Sequence, residues 1–123
     1  MTDADSQLHE QAVAIAGRAY APYSGFHVGA AVRARDGRVF VGVNVENAAY
    51  PLGVCAEKTA LGRAITEGCG PGELETIAIT ASPCGGCRQW LVELGLERVV
   101  YARAGGEVVA TTPADLLPDT FEL

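Results

Sequence analysis

Cys84 and Cys87 stand three residues apart, in a run where Ser82 and Pro83 lead into Gly85 and Gly86. A three-residue step on a helix places two side chains on one face, on adjacent turns, so their sulfurs can share a metal. Thiolates in the first turn of a helix also sit in its positive field, which eases their deprotonation. Redox dithiols use the same spacing at the same kind of helix start, so the pair alone does not decide between metal and disulfide chemistry. Cys55 is the candidate third ligand, because Val54, Cys55, Ala56 and Glu57 open another helical stretch and two such helix starts can meet in a strand–helix–strand fold. Three sulfurs from Cys55, Cys84 and Cys87 would leave one zinc position open to water, the mark of a catalytic site rather than a structural one. Glu57, two residues past Cys55, would reach such a water without binding the metal and carry its proton.

The other residues able to bind metal do not form a competing site at ligand spacing. His9 and His27 have neither a second histidine nor a cysteine nearby in sequence, and Cys69 follows Gly68 without a partner. Cys69 is therefore read as a structural thiol. A non-catalytic zinc module would have to recruit Cys69 or His27 as a fourth ligand. A thiol redox protein would use Cys84 and Cys87 and leave Cys55 and Glu57 unexplained.

Elements that must position these residues can be read from apolar spacing and from turn residues. Asp5 to Tyr20 carries Leu8, Ala12, Ile15, Ala16 and Ala19 on one helical face, with Pro22 beyond. Val28 to Val32 and Val39 to Val43 flank Asp36 and Gly37, a pair suited to a tight hairpin turn. A helix is expected from Val54 to about Glu67, a buried strand over Thr76 to Thr80, and a second crossover helix over Cys84 to Leu94. Arg98 to Tyr101 forms the next strand, Gly105 and Gly106 turn the chain into Val108 to Ala110, and Pro113 opens a short closing helix. The order predicts an α/β fold: a mixed five-stranded sheet in a three-layer α-β-α arrangement, formed by residues 1–123 as one catalytic domain.

Composition narrows the partners. The 123-residue chain is 49% hydrophobic and 20% charged, which suits a folded domain rather than a disordered tail. Its net charge of −6 has the wrong sign for holding a phosphate backbone, so no nucleic acid is expected as partner. No apolar run reaches the roughly 18 residues of a membrane span, and the amino end is acidic where a secretory signal would be basic. A cytoplasmic protein without a membrane partner is the expectation.

Cys55, Ala56 and Glu57, followed by Pro83, Cys84, Gly85, Gly86, Cys87, Arg88 and Gln89, resemble the zinc-dependent cytidine deaminase family in its small homotetrameric form with three cysteine ligands. Three further stretches extend the likeness through nearly the whole chain: Tyr23 to Ala31, Asn44 to Tyr50, and Leu116 to Pro118 with Phe121. The resemblance implies hydrolytic deamination of free cytidine and 2′-deoxycytidine in pyrimidine salvage, with one Zn²⁺ per chain held by Cys55, Cys84 and Cys87 and Glu57 as proton carrier. It implies that Asn44 and Glu46 hold the 3′-hydroxyl side of the ribose, that Phe26 packs on the nucleoside, and that Ala56 borders the substrate. Tyr50 and Phe121 would complete a pocket belonging to a neighbouring subunit of a homotetramer. Lys58 and Arg88 would stand behind the ligands. A free nucleobase would have no use for Asn44 and Glu46, which separates a nucleoside deaminase from a base deaminase.

Two features depart from the family pattern. Lys58 follows Glu57 where the family commonly has an arginine, whose fork of donors can satisfy more sulfur lone pairs than one ammonium. Only Ala81 and Ser82 separate the strand ending at Thr80 from Pro83, where relatives usually have several more residues. Both lie close to the site and leave open a modified cytosine nucleoside or nucleoside antibiotic as substrate.

Overall fold

The computed structural model describes residues 1–122. Helix α1, Asp3–Ala16, starts at a capping box: the Thr2 hydroxyl accepts from the Asp5 amide and the Asp5 carboxylate accepts from the Thr2 amide. It buries Leu8 and Ala12 and stops at Gly17, so the helix expected to run on to Tyr20 ends a turn earlier. The reason is tertiary. Tyr20 instead pairs as a β-bridge with Val45, its amide donating to the Asn44 carbonyl at 3.0 Å.

Strands β1, Gly29–Ala34, and β2, Val39–Val43, form the hairpin, with Gly37 at φ 95° in the turn. A single 3-10 turn at Tyr50–Leu52 precedes helix α2, Ala56–Thr66. Strand β3, Leu74–Ile79, leads to helix α3, Gly85–Glu93, and on to strands β4, Arg98–Ala102, and β5, Val108–Thr111. Helix α4, Pro113–Leu116, follows with Pro113 in its first turn and Thr112 as its cap. Every helix and strand read from the sequence is present, with ends moved by a few residues.

The sheet order is β2-β1-β3-β4-β5. Among the five described strands, only β3 and β4 pair in parallel. Because β1 runs antiparallel to both β2 and β3, those two strands point the same way, and the chain leaves both at the same end of the sheet. Layers form on both faces. On one, Leu8 and Ala12 of α1 meet Ala31, Ala78 and Val100; on the other, Leu61 of α2 and Leu91 of α3 meet Val32, Phe40, Ile77, Ile79 and Val99.

Two glycines set how closely the outer layers approach. A Cβ on Gly29 would lie 2.0 Å from the Ala12 carbonyl oxygen of α1, and one on Gly42 would lie 2.4 Å from the Ala60 nitrogen of α2. Neither contact is possible for a side chain, so the hairpin carries one helix backbone on each face directly against its own.

Candidate active site

The common direction of β2 and β3 brings the starts of α2 and α3 together, in the crevice beyond the strand ends where open α/β sheets hold their ligands. Cys55 is the N-cap of α2 and Cys84 the N-cap of α3. The Cys84 sulfur accepts from the Cys87 amide at 3.5 Å, which fixes the first turn of α3 around the pair. The loop before Cys55 is closed by reciprocal hydrogen bonds between Val45 and Val54, of 3.0 and 2.9 Å, with the Tyr50–Leu52 turn looping out between them. The ends of two helices thereby place three sulfurs within 4.8 Å of one another, with those of Cys55 and Cys84 3.8 Å apart.

Electrostatics prepares these thiols for a cation. Hydrogen bonding from Cys87, opposed by burial and helped by Cys84 and the Lys58 charge, brings the Cys55 thiol down to about 6. Cys87 moves the other way, pushed up by its bond to Cys55, by burial and by the charge of Glu57. The shared hydrogen bond thus pushes the two thiols in opposite directions. Three cysteines with this spacing suit zinc: Zn–S bonds of about 2.3 Å in a tetrahedron set sulfurs about 3.8 Å apart. Among the described residues no fourth His, Cys, Asp or Glu joins the cluster. Cys69 is elsewhere, buried and accepting from the Arg38 guanidinium at 2.7 Å, in keeping with a structural thiol.

Glu57 is only 3% exposed, yet it borders the cavity beside the cysteines. Burial pushes its carboxyl up from the ordinary value, and charge on Cys55 adds to the effect. A carboxylate so placed takes a proton readily, as a proton carrier must.

The cavity has a volume of about 550 Å³ and is walled by Phe26, Asn44, Glu46, Tyr50, Ala56 and Glu57 together with Cys55 and Cys84. All the residues expected to touch substrate therefore meet there except Phe121, which lies 71% exposed and outside the cavity wall. Tyr50 borders the cavity of its own chain, edge-on to Tyr23 with ring centroids 6.2 Å apart.

Asn44 and Glu46 share this cavity, but much of their bonding capacity is spent on the chain. The Asn44 amide accepts from the Val28 amide and donates to the Phe26 carbonyl, both at 2.8 Å. Glu46 accepts from the amides of Tyr23 and Ser24 and from the Ser24 hydroxyl, contacts that hold its carboxyl below the usual range. Ser24 has no role in the sequence reading, although its hydroxyl links the Phe26 amide to Glu46. The two polar residues thus fix the loop carrying Phe26, and one Asn44 N–H and the remaining lone pairs of Glu46 stay available to a ligand.

Lys58 and Arg88 are not among the residues that line the cavity. Arg88 donates to the carbonyls of Pro83 and Leu116 and to the Ser82 hydroxyl, tying the Cys84 loop to α4. It steadies the ligand loop through the backbone, without a bond to sulfur. Lys58 points its ammonium at the Trp90 ring, 5.8 Å from the centroid. Trp90, three residues past Cys87, was not singled out in the sequence; an aromatic residue one turn beyond a ligand on the same helix was the available signal.

An α-β-α sandwich with three clustered thiols and a buried carboxylate beside one cavity carries the donor set of a metal-dependent hydrolase. The chain belongs to the family described as the cytidine and deoxycytidylate deaminase zinc-binding region, whose model matches residues 2–103. A cytidine deaminase from Halalkalibacterium halodurans is 40% identical, over 93% of this chain and 91% of the relative. One from Mycobacterium tuberculosis is 39% identical, over 100% of this chain and 94% of the relative. The crystal structure of cytidine deaminase from Burkholderia pseudomallei superposes with a TM-score of 0.89 at 48% identity, over 98% of this chain and all of that one. The Cys55, Cys84 and Cys87 cluster lies within the matched zinc-binding region and offers three sulfurs suited to one zinc.

Proposed function

We propose that this protein hydrolyses cytidine and 2′-deoxycytidine to uridine and 2′-deoxyuridine, releasing ammonia, with residues 1–123 acting as one catalytic domain. The carrying observation is the buried Glu57 beside the Cys55, Cys84 and Cys87 cluster, in the wall of a cavity of nucleoside size. Relatives at about 40% identity over most of the chain, named cytidine deaminases, support the substrate.

Cys55, Cys84 and Cys87 would hold one zinc ion, which when bound acts as a Lewis acid and lowers the pKa of a water. The chain's own groups do the rest. Glu57 takes a proton from the attacking water and delivers it to N3 of the pyrimidine as oxygen adds to C4. It then passes the second water proton to the departing amino group, which leaves as ammonia while the C4 carbonyl forms. One carboxylate thus serves as base and then as acid, and its desolvated setting brings its proton affinity closer to neutrality. Phe26 offers an aromatic face to the nucleoside, and Asn44 and Glu46 turn their spare donor and acceptors to the ribose. Ala56 leaves room for the ring at the start of α2.

The working form is a cytoplasmic homotetramer. Tyr23, Phe26, Tyr50, Leu52 and Phe121 are each more than half exposed, and most of them gather at the cavity mouth, where a second copy would both cover them and close the cavity. No helix of the described residues is long and apolar enough to cross a membrane. The test is direct: incubate zinc-loaded protein with cytidine, 2′-deoxycytidine or free cytosine, and follow ammonia and the ultraviolet spectrum. The two nucleosides should be converted and the base left intact; conversion of the base at a comparable rate would remove the assignment of Asn44 and Glu46.

A further inference from the structure

Lys58 has an unusual setting for a surface lysine. Among the described residues it pairs with no carboxylate. Its ammonium is 5.8 Å from the centroid of Trp90, within the roughly 6 Å over which a ring face attracts a cation. It also borders the first turn of α3: a Cβ on Gly86 would be 3.9 Å from the Lys58 Nζ and 3.9 Å from the Cys84 Sγ, so both atoms border the space at that glycine.

A lysine side chain has four rotatable bonds and a strongly hydrated head, which by itself favours open solvent. Three thiolates around a divalent ion leave one negative charge uncompensated, and a cation held beside them offsets it. Proximity on α2 alone does not hold the ammonium there. Trp90, on α3 with Cys84 and Cys87, supplies a rigid face that moves with the ligands. The bare Cα of Gly86 leaves the space open.

We infer that Trp90 is a positioning residue: its ring holds the Lys58 ammonium beside the three-cysteine cluster and so strengthens zinc retention. The inference rests on the zinc reading of the site and adds a residue that contacts neither metal nor substrate.

A double-mutant cycle on the zinc-loaded protein tests it, with chelator competition giving zinc affinity and thermal midpoints giving stability. Trp90→Leu should weaken zinc retention about three- to fivefold, the scale of a partly exposed cation–ring contact. The same change in the Lys58→Met background should have no effect on zinc. Trp90→Phe, which keeps a weaker ring face, should fall between, and it completes the cycle if Trp90→Leu does not fold. Equal zinc loss from the Trp90 change with and without Lys58, or no loss in either, would overturn the inference, because Trp90 would then act only through packing. A wild-type protein that retains no zinc would overturn the metal reading and the inference with it.

Discussion

The sulfurs of Cys55 and Cys84 stand 3.8 Å apart although 29 residues separate them in the chain. Each caps a different helix, and the two helices begin at the same sheet end because β2 and β3 run in one direction on either side of β1. Removing either sulfur should open the cluster without unfolding the helices, since both lie at caps rather than in the core. Cys55→Ser is expected to weaken zinc retention by more than the ~10–100-fold typical of residues behind a ligand. Zinc content after dialysis against a chelator, with circular dichroism as a control, measures this.

Gly42 ties the hairpin to the helix that carries Cys55 and Glu57. Gly42→Ala would place a methyl 2.4 Å from the Ala60 nitrogen, so α2 must move or the strand must bend. A loss of about 3 kcal/mol or more is expected, at or beyond the upper end for overpacked cores. Denaturant unfolding measures it, and Gly62→Ala on the same helix, where a Cβ meets nothing within 4 Å, should be neutral or stabilising.

The cysteine cluster was legible in part: the Cys84 and Cys87 spacing marked a thiol pair, and the helix start at Cys55 offered the third sulfur that the fold brings to it, while the hairpin was marked by its Asp36 and Gly37 turn. Asn44 and Glu46 were legible as cavity residues. Their bonds to Val28, Phe26, Tyr23 and Ser24 were not, because those partners arrive through the fold, from 16 to 23 residues away. The pairing of Lys58 with Trp90 was hidden for the same reason, being set by how α2 and α3 lie together. The end of α1 was misplaced because its apolar spacing continues through Ala19 while the chain turns to pair Tyr20 with Val45.

Acid should attack the fold through Asp5. Burial raises its pKa, but hydrogen bonds from Arg98 and Thr2 outweigh this and hold it below the ordinary 3.8. A carboxyl depressed in the folded state contributes stability above its unfolded value, and that contribution is lost as pH falls through the folded one. The Asp5 contribution to unfolding free energy should therefore be level through neutrality and drop below about pH 4. Asp5→Asn should cost about 1.5–3 kcal/mol at pH 7, the range for a hydrogen bond to a charged group, and flatten that drop. Denaturant midpoints from pH 3 to pH 7 check both statements.

Phe121 is exposed and outside its own chain's cavity, which suits the proposed role in a neighbour's pocket. Deleting the chain from Thr120 onward should raise KM or abolish turnover while zinc remains bound. Light scattering on the intact protein should give four chains per particle; a fully active single chain would remove both the tetramer and the role of Phe121.

Turnover of zinc-loaded Glu57→Gln beside wild type tests the central claim most directly. The variant keeps the side-chain shape and leaves all three sulfurs in place, so it should fold, retain zinc and bind cytidine. Ammonia release should fall by more than the ~10²–10⁴-fold usual for a general acid–base, because the same carboxylate serves successive steps. A zinc-replete variant that still releases ammonia at about a tenth of the wild-type rate, well inside that range, would contradict the role given to Glu57.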